Sequence, residues 1–171
     1  MKITFTYATQ KYFKWLKEKD HHLDAITLKK KIADKQIILA KSESGIIGWL
    51  RFGLFWDSIP FMNILFIEEE YRGKGIGKKI VQFWETEMKK KKHKIVMTSS
   101  QSDEEAQHFY RKLGYADAGS LTLPKEPLEV IFIKKFYLGL LFTYIPLPFN
   151  PLRGFLIGVA LKTALIWICD V

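Results

Sequence analysis

The chain has 171 residues, 48% of them hydrophobic and 26% charged, the size and composition of one globular domain with enough apolar material for a core. Cys169 is the only cysteine, and His21, His22, His93 and His108 lack zinc-ligand spacing, so an internal disulfide and a multi-cysteine metal site are excluded and no metal is expected. The net charge of +9 suits nucleic acid, an anionic membrane surface or a polyanionic ligand; its lysines fall in helical stretches as a solvated basic face does, no nucleic-acid recognition motif is present, and nucleic acid is not expected.

Ile3, Phe5 and Tyr7 alternate with Thr4 and Thr6, which predicts a first strand. Met1 runs straight into it with no signal-peptide pattern, so a cytoplasmic address is expected. Thr9 is placed to cap a helix carrying Tyr12 and Leu16, and Ala25, Leu28 and Ile32 are spaced for a second helix. Gln36 to Ala40 reads as a strand, Ser42-Glu43-Ser44-Gly45 as a hairpin turn, and Ile46 to Phe55 as the returning strand. Asp57-Ser58 and Pro60 mark another reversal before the apolar strand Phe61 to Ile67.

A glycine-rich turn then leads into a helix with Ile76, Ile80, Phe83, Trp84 and Met88 on its inner face. Ile95 to Met97 is a short strand. Ser102 and Glu105 read as a capping box for a helix whose inner face is Ala106, Phe109, Tyr110 and Leu113, with Gly114 at a left-handed stop. Tyr115 to Leu123 and Leu128 to Phe136 complete the order βααβββαβαββ, a mixed α/β (α+β) sheet.

The texture changes after Phe136. Residues 137–171 carry only Arg153, Lys162 and Asp170 as charged side chains. Their apolar runs are broken by prolines or fall short of the ~20 residues that a membrane-spanning helix needs. Two segments are therefore expected: a domain over 1–136, and an apolar C-terminal extension over 137–171. The extension is open to three readings: packing on the domain or on a second copy in a homodimer, contact with a membrane surface, or residues past the domain's end.

The chemistry-bearing motif is Tyr71-Arg72-Gly73-Lys74-Gly75-Ile76-Gly77, between an apolar strand and an amphipathic helix. Glycines let a ligand approach the backbone, unpaired N–H groups at the helix start point outward, and the helix dipole favours negative charge there. Arg72, Lys74, Lys78 and Lys79 add positive charge, so a diphosphate is the natural guest. A Walker loop requires different glycine–lysine spacing. A dinucleotide fingerprint belongs after the first strand of a βαβ unit, whereas this loop follows the fourth strand.

Arg72-x-x-Gly75-x-Gly77 resembles the acetyl-CoA signature of the GCN5-related N-acetyltransferase (GNAT) family, and Ala106 to Tyr115 (AQHFYRKLGY) is similar to that family's second motif. The resemblance covers roughly residues 1–136. It implies a mostly antiparallel central sheet, flanked by helices, with a splayed cleft for acetyl-CoA. The pantetheine would pair with backbone at Leu65, Phe66 and Ile67, and the pyrophosphate would sit on Arg72, Gly73, Lys74, Gly75, Ile76 and Gly77, with Lys78 alongside. Tyr110 matches the position that often protonates the departing thiolate, although its spacing equally suits a core aromatic. The family often has Asn at the start of the second-motif helix; Ser102 and Asp103 stand there, and no cofactor role is carried onto them.

The implied activity moves an acetyl group from acetyl-CoA to a primary amine of a small molecule or peptide. Backbone N–H groups around Phe66 and Ile67 are candidates for stabilising the oxyanion, and Glu68 and Glu69 for taking the ammonium proton. Both glutamates equally suit an acidic surface turn. Trp49, Phe52, Phe55, Trp56 and Phe61 are candidates to line an acceptor pocket or to pack in the core. Two other classes remain open: a non-catalytic CoA-binding module, and a membrane-surface protein using the basic face and apolar tail.

Overall fold

The structure, a computed structural model, describes residues 2–136. The elements run β1 (Thr4–Tyr7), α1 (Phe13–Lys19), α2 (Ala25–Ala33), β2 (Ile37–Ser42), β3 (Gly45–Phe55), β4 (Ile59–Ile67), α3 (Ile76–Lys90), β5 (Ile95–Gln101), α4 (Ala106–Lys112), β6 (Ala116–Leu121) and β7 (Glu129–Lys135), with 3-10 turns at Gln10–Tyr12 and Glu69–Tyr71. This is the element order read from the sequence. The expectations for 137–171 lie outside the described residues. Among the described residues, no helix is long and apolar enough to cross a membrane.

The seven strands form one sheet in the order β1-β2-β3-β4-β5-β7-β6. Every neighbouring pair is antiparallel except β4 and β5. Both faces are covered, which is why β3 is buried without interruption from Ile47 to Gly53. On one face α3 and α4 pack Ile76, Ile80, Trp84, Met88 and Tyr110 against Ile38, Leu50, Met62 and Phe132. On the other, Leu16 of α1 with Leu28 and Ile32 of α2 covers Ile37, Leu39 and Trp49.

Several local expectations are corrected. The Thr9 side chain makes no cap hydrogen bond, and a 3-10 turn comes between it and α1. Ala25 is exposed, and the working cap of α2 is Asp24, whose carboxylate accepts from the N–H groups of Ile26 and Thr27 at 2.8 and 2.9 Å. The Ser102–Glu105 capping box does not form: α4 begins one residue after Glu105 without a side-chain cap. Glu104 instead accepts from the Ser100 hydroxyl and the Gln101 N–H, tying this loop back to β5. Pro60 lies inside β4, opposite Leu54, rather than in the reversal, which falls at Asp57-Ser58 as expected, in a turn over Trp56–Ser58 with Trp56 and Asp57 at positive φ.

The stop at Gly114 forms as expected. Its φ is +87°, its N–H bonds the Arg111 carbonyl at 3.0 Å, and the Tyr115 N–H bonds the Tyr110 carbonyl at 3.1 Å. These two bonds are the Schellman pattern, which fixes the end of α4 and so the depth of Tyr110.

A buried ion pair sits between β3 and the α1–α2 connection: Arg51 Nε donates to Asp20 Oδ2 at 2.7 Å, with both side chains under a tenth exposed. A second pair crosses the other face, where Lys134 Nζ bridges the Glu85 carboxylate at 2.8 Å and the Leu113 carbonyl at 2.7 Å. That bridge holds α3, β7 and the end of α4 together.

Candidate functional site

β4 and β5 are paired only at Phe61–Met97 and Met62–Thr98. Beyond that point β4 continues to Ile67 along β3 while β5 continues to Gln101 along β7, so the sheet opens. A bulge aids the parting: in the β3–β4 register Arg51 faces Ile64 and Phe52 faces Met62, leaving Asn63 as the extra residue. Such a residue bends its strand and adds local twist.

A cleft of about 380 Å³ lies at this opening, lined by the end of β4 (Leu65, Ile67), the glycine loop and start of α3, and the inner face of α4 (Ala106, Phe109, Tyr110). Strand alternation decides which part of β4 reaches it. Leu65 and Ile67 point into the cleft, whereas the Phe66 side chain lies on the other face against Trp49, with ring centroids 4.4 Å apart. At Phe66, then, only the backbone is left to serve the cleft.

The loop has the conformation its glycines permit. Gly73 and Gly75 have φ of +70° and +74°, and a Cβ on either would meet nothing within 4 Å. They are needed for backbone geometry rather than for space. Gly77 differs, since its φ is not positive and a Cβ there would make only an ordinary contact with the Phe109 ring at 3.5 Å, where α3 meets α4. The first bond of α3 runs from the Lys79 N–H to the Gly75 carbonyl at 3.1 Å. The N–H groups of Ile76, Gly77 and Lys78 therefore have no partner within the helix, and all three residues line the cleft.

Of the four cations Arg72, Lys74, Lys78 and Lys79, two line the cleft and two, Lys74 and Lys79, do not. Arg72 lines it while its Nε donates to the Ile67 carbonyl at 2.9 Å, locking the loop onto the end of β4. Lys78 lines it as well. Lys74 folds away, its Nζ donating to the Glu70 carbonyl at 2.7 Å and lying 5.5 Å from the Tyr71 ring.

Tyr110 is buried and lines the cleft from α4. Its ring packs against Tyr115 and Phe132, each with centroids 5.8 Å away. Burial pushes the phenol up to about 12, with Thr98 pulling the other way and the Glu104 charge adding to the rise. Thr98 carries no sequence signal, yet its hydroxyl donates to the Met62 carbonyl at 3.0 Å, bridging the last paired residues before the opening. Only the strand register brings these residues together.

Neither glutamate lines the cleft. Glu68 Oε1 is held by Lys19 Nζ at 3.0 Å, and Glu69 is exposed on the 3-10 turn. Of the aromatic candidates for an acceptor pocket, Trp49 and Phe52 are core residues, while Phe55, Trp56 and Phe61 group at the β3–β4 hairpin. Among the described residues, no group of three or more His, Cys, Asp or Glu side chains is arranged to hold a metal ion.

Residues 33–117 match a family model described as an acetyltransferase (GNAT) domain. No curated protein matches the sequence. Among solved structures, Ard1 from Thermoplasma volcanium superposes with a TM-score of 0.69 at 11% identity, covering 80% of this chain and 99% of that one. The PaiA N-acetyltransferase from Thermoplasma acidophilum, in complex with coenzyme A, gives 0.64 at 18% identity, covering 80% and 100%. A chain of the NatC complex bound to Gag peptide and CoA gives 0.68 at 15% identity, again covering 80% and 100%. Identities this low speak to fold, and the fold agrees with the family model that spans the cleft's loop and α4: the chain belongs to the GNAT acetyltransferase family.

Proposed function

We propose that the cleft binds acetyl-CoA and that the chain transfers its acetyl group to the primary amine of a small molecule or peptide. The observation that carries this is the parting of β4 and β5 beyond Met62 and Thr98, directly beside a helix start with unpartnered N–H groups. The residues fit the guest. A pyrophosphate suits the N–H groups of Ile76, Gly77 and Lys78 with the Arg72 and Lys78 side chains beside it. The pantetheine suits the freed edge of β4 along Leu65, Phe66 and Ile67. Coenzyme A is bound in two of the structural relatives named above, which supports the assignment.

In the reaction the amine nitrogen forms a bond to the acetyl carbon as the carbon–sulfur bond breaks. The sulfur takes the electron pair and one proton, and the nitrogen gives up one proton to solvent. Tyr110 is the proposed donor to sulfur: with a pKa pushed up to about 12 its phenol is protonated throughout the neutral range. The β4 backbone around Phe66 and Ile67 is proposed to polarise the carbonyl. With Glu68 engaged by Lys19 and Glu69 exposed, neither is assigned as base; an acceptor arriving as free amine needs only to be positioned.

A thiol-release screen of the purified protein with acetyl-CoA against amines, peptides and antibiotics tests this. Release that depends on an added amine supports transfer. Acetyl-CoA binding without release from any amine would leave a CoA-binding module instead.

A further inference from the structure

The sheet opening can also be reached from the face opposite α3. A second cavity, of about 300 Å³, lies there between α2, the β3–β4 hairpin and the β6–β7 hairpin. Its apolar walls include Phe55, Phe61, Leu121 and Ile131. Asn63 and Ser99 line it too, and these are the residues that follow the last β4–β5 pair, Met62 and Thr98. The cavity thus ends at the gap that the first cleft approaches from the other side.

Two opposite charges face this space. Lys31 of α2 lines one wall; its Nζ donates to the Phe52 carbonyl at 3.2 Å, and among the described residues no carboxylate is within ion-pair distance of it. Burial, then the nearby Arg51 charge, lowers its pKa; the Asp34 charge pulls the other way without reaching ion-pair distance. Glu129 of β7 lines the cavity from the other side, and no hydrogen bond or ion pair to its side chain is present among the described residues. Lys31 is also close to the gap: a Cβ on Gly53 would be 3.0 Å from Lys31 Nζ and 3.4 Å from Asn63 Oδ1, so cation and bulge flank the same glycine.

We propose that this cavity is the acceptor site and that it selects a free apolar α-amino acid, whose carboxylate is held by Lys31, whose ammonium enters on the Glu129 side, and whose side chain lies on the Phe55–Phe61–Leu121 wall. The inference rests on the transferase reading above. The cation adjoins the strand gap, so the acceptor's anion and amine must be separated by little more than one carbon. A polyamine would instead place a second cation against Lys31, which the site disfavours.

The test is the rate of thiol release from acetyl-CoA with matched pairs: phenylalanine against phenethylamine, tryptophan against tryptamine, leucine against isoamylamine. One charge-assisted contact predicts that kcat/KM favours the amino acid of the best pair by about tenfold or more. In Lys31→Met, checked for unchanged acetyl-CoA binding, that ratio should collapse to about one. Lys31→Gln serves the same comparison if the methionine variant does not fold. Equal or better turnover of the decarboxylated amines by the native protein, or a ratio that survives loss of the lysine charge, overturns this inference alone. Failure of every amine despite acetyl-CoA binding removes the transferase reading, and this inference with it.

Discussion

The Thr98 hydroxyl donates to the Met62 carbonyl at 3.0 Å across the last residue pair before β4 and β5 part. Both residues are buried, so this bond pins the root of the opening. Thr98→Val keeps the shape and leaves the Met62 carbonyl without its partner, which costs about 1–3 kcal/mol. Urea denaturation should show that loss, and a variant as stable as the native chain would mean that the bond is not what holds the root.

Tyr110→Phe removes only the hydroxyl from a ring packed between Tyr115 and Phe132. The turnover number should fall by about tenfold or more, within the range general acids supply, while acetyl-CoA affinity stays nearly constant. Full turnover across the pH range would return Tyr110 to the role of a core aromatic.

The same residue makes a prediction about alkaline stability. Its unfolded phenol loses its proton near the ordinary value of 10.0, whereas the folded one holds it to about 12. Between those values the folded state binds the extra proton, so the contribution is complete below about pH 10 and is lost as pH rises towards 12. Within that window one such group steepens the fall by about 1.4 kcal/mol per pH unit. Comparing unfolding free energies of the native chain and Tyr110→Phe isolates this, because lysine titration is common to both. Parallel curves would show that the phenol titrates alike in both states.

We place the transferase within residues 1–136 and infer that 137–171 are not needed for its chemistry. A 1–136 chain should bind acetyl-CoA with the affinity of the full chain. A soluble, folded 1–136 chain without such binding would move the boundary.

The elements were legible because each carries its own period or its own punctuation. Alternation marked β1, the i, i+3, i+7 spacing marked α2, and Gly114 marked the end of α4 because only that residue takes the left-handed stop cheaply. The glycine loop was legible for the same reason at Gly73 and Gly75. Positions set by pairing across distance were not legible. The Ser102–Glu105 spacing fits a capping box, yet Glu104 is drawn to β5 and the box never closes. Asp20 and Arg51 are 31 residues apart and meet only in the folded core. Phe66 read as one of three equivalent residues, but its side chain faces away from Leu65 and Ile67, as strand alternation requires. Lys31 and Glu129 belong to no motif, and only the sheet register sets them on one cavity.

The central claim is that the Arg72–Gly77 loop holds the diphosphate of acetyl-CoA, and calorimetric titration of acetyl-CoA into the native chain and Gly75→Val tests it most directly. Gly75 has a φ of +74° with open space around it, so valine meets no clash but strains a backbone that a β-branched residue disfavours by roughly 1–2 kcal/mol or more. The N–H groups that follow should turn away from the phosphates. The account predicts one site on the native chain, weakening as salt rises because the phosphates face cations, and an affinity at least about tenfold lower in a folded Gly75→Val. No binding to the native chain, or equal affinity in the folded variant, would contradict it.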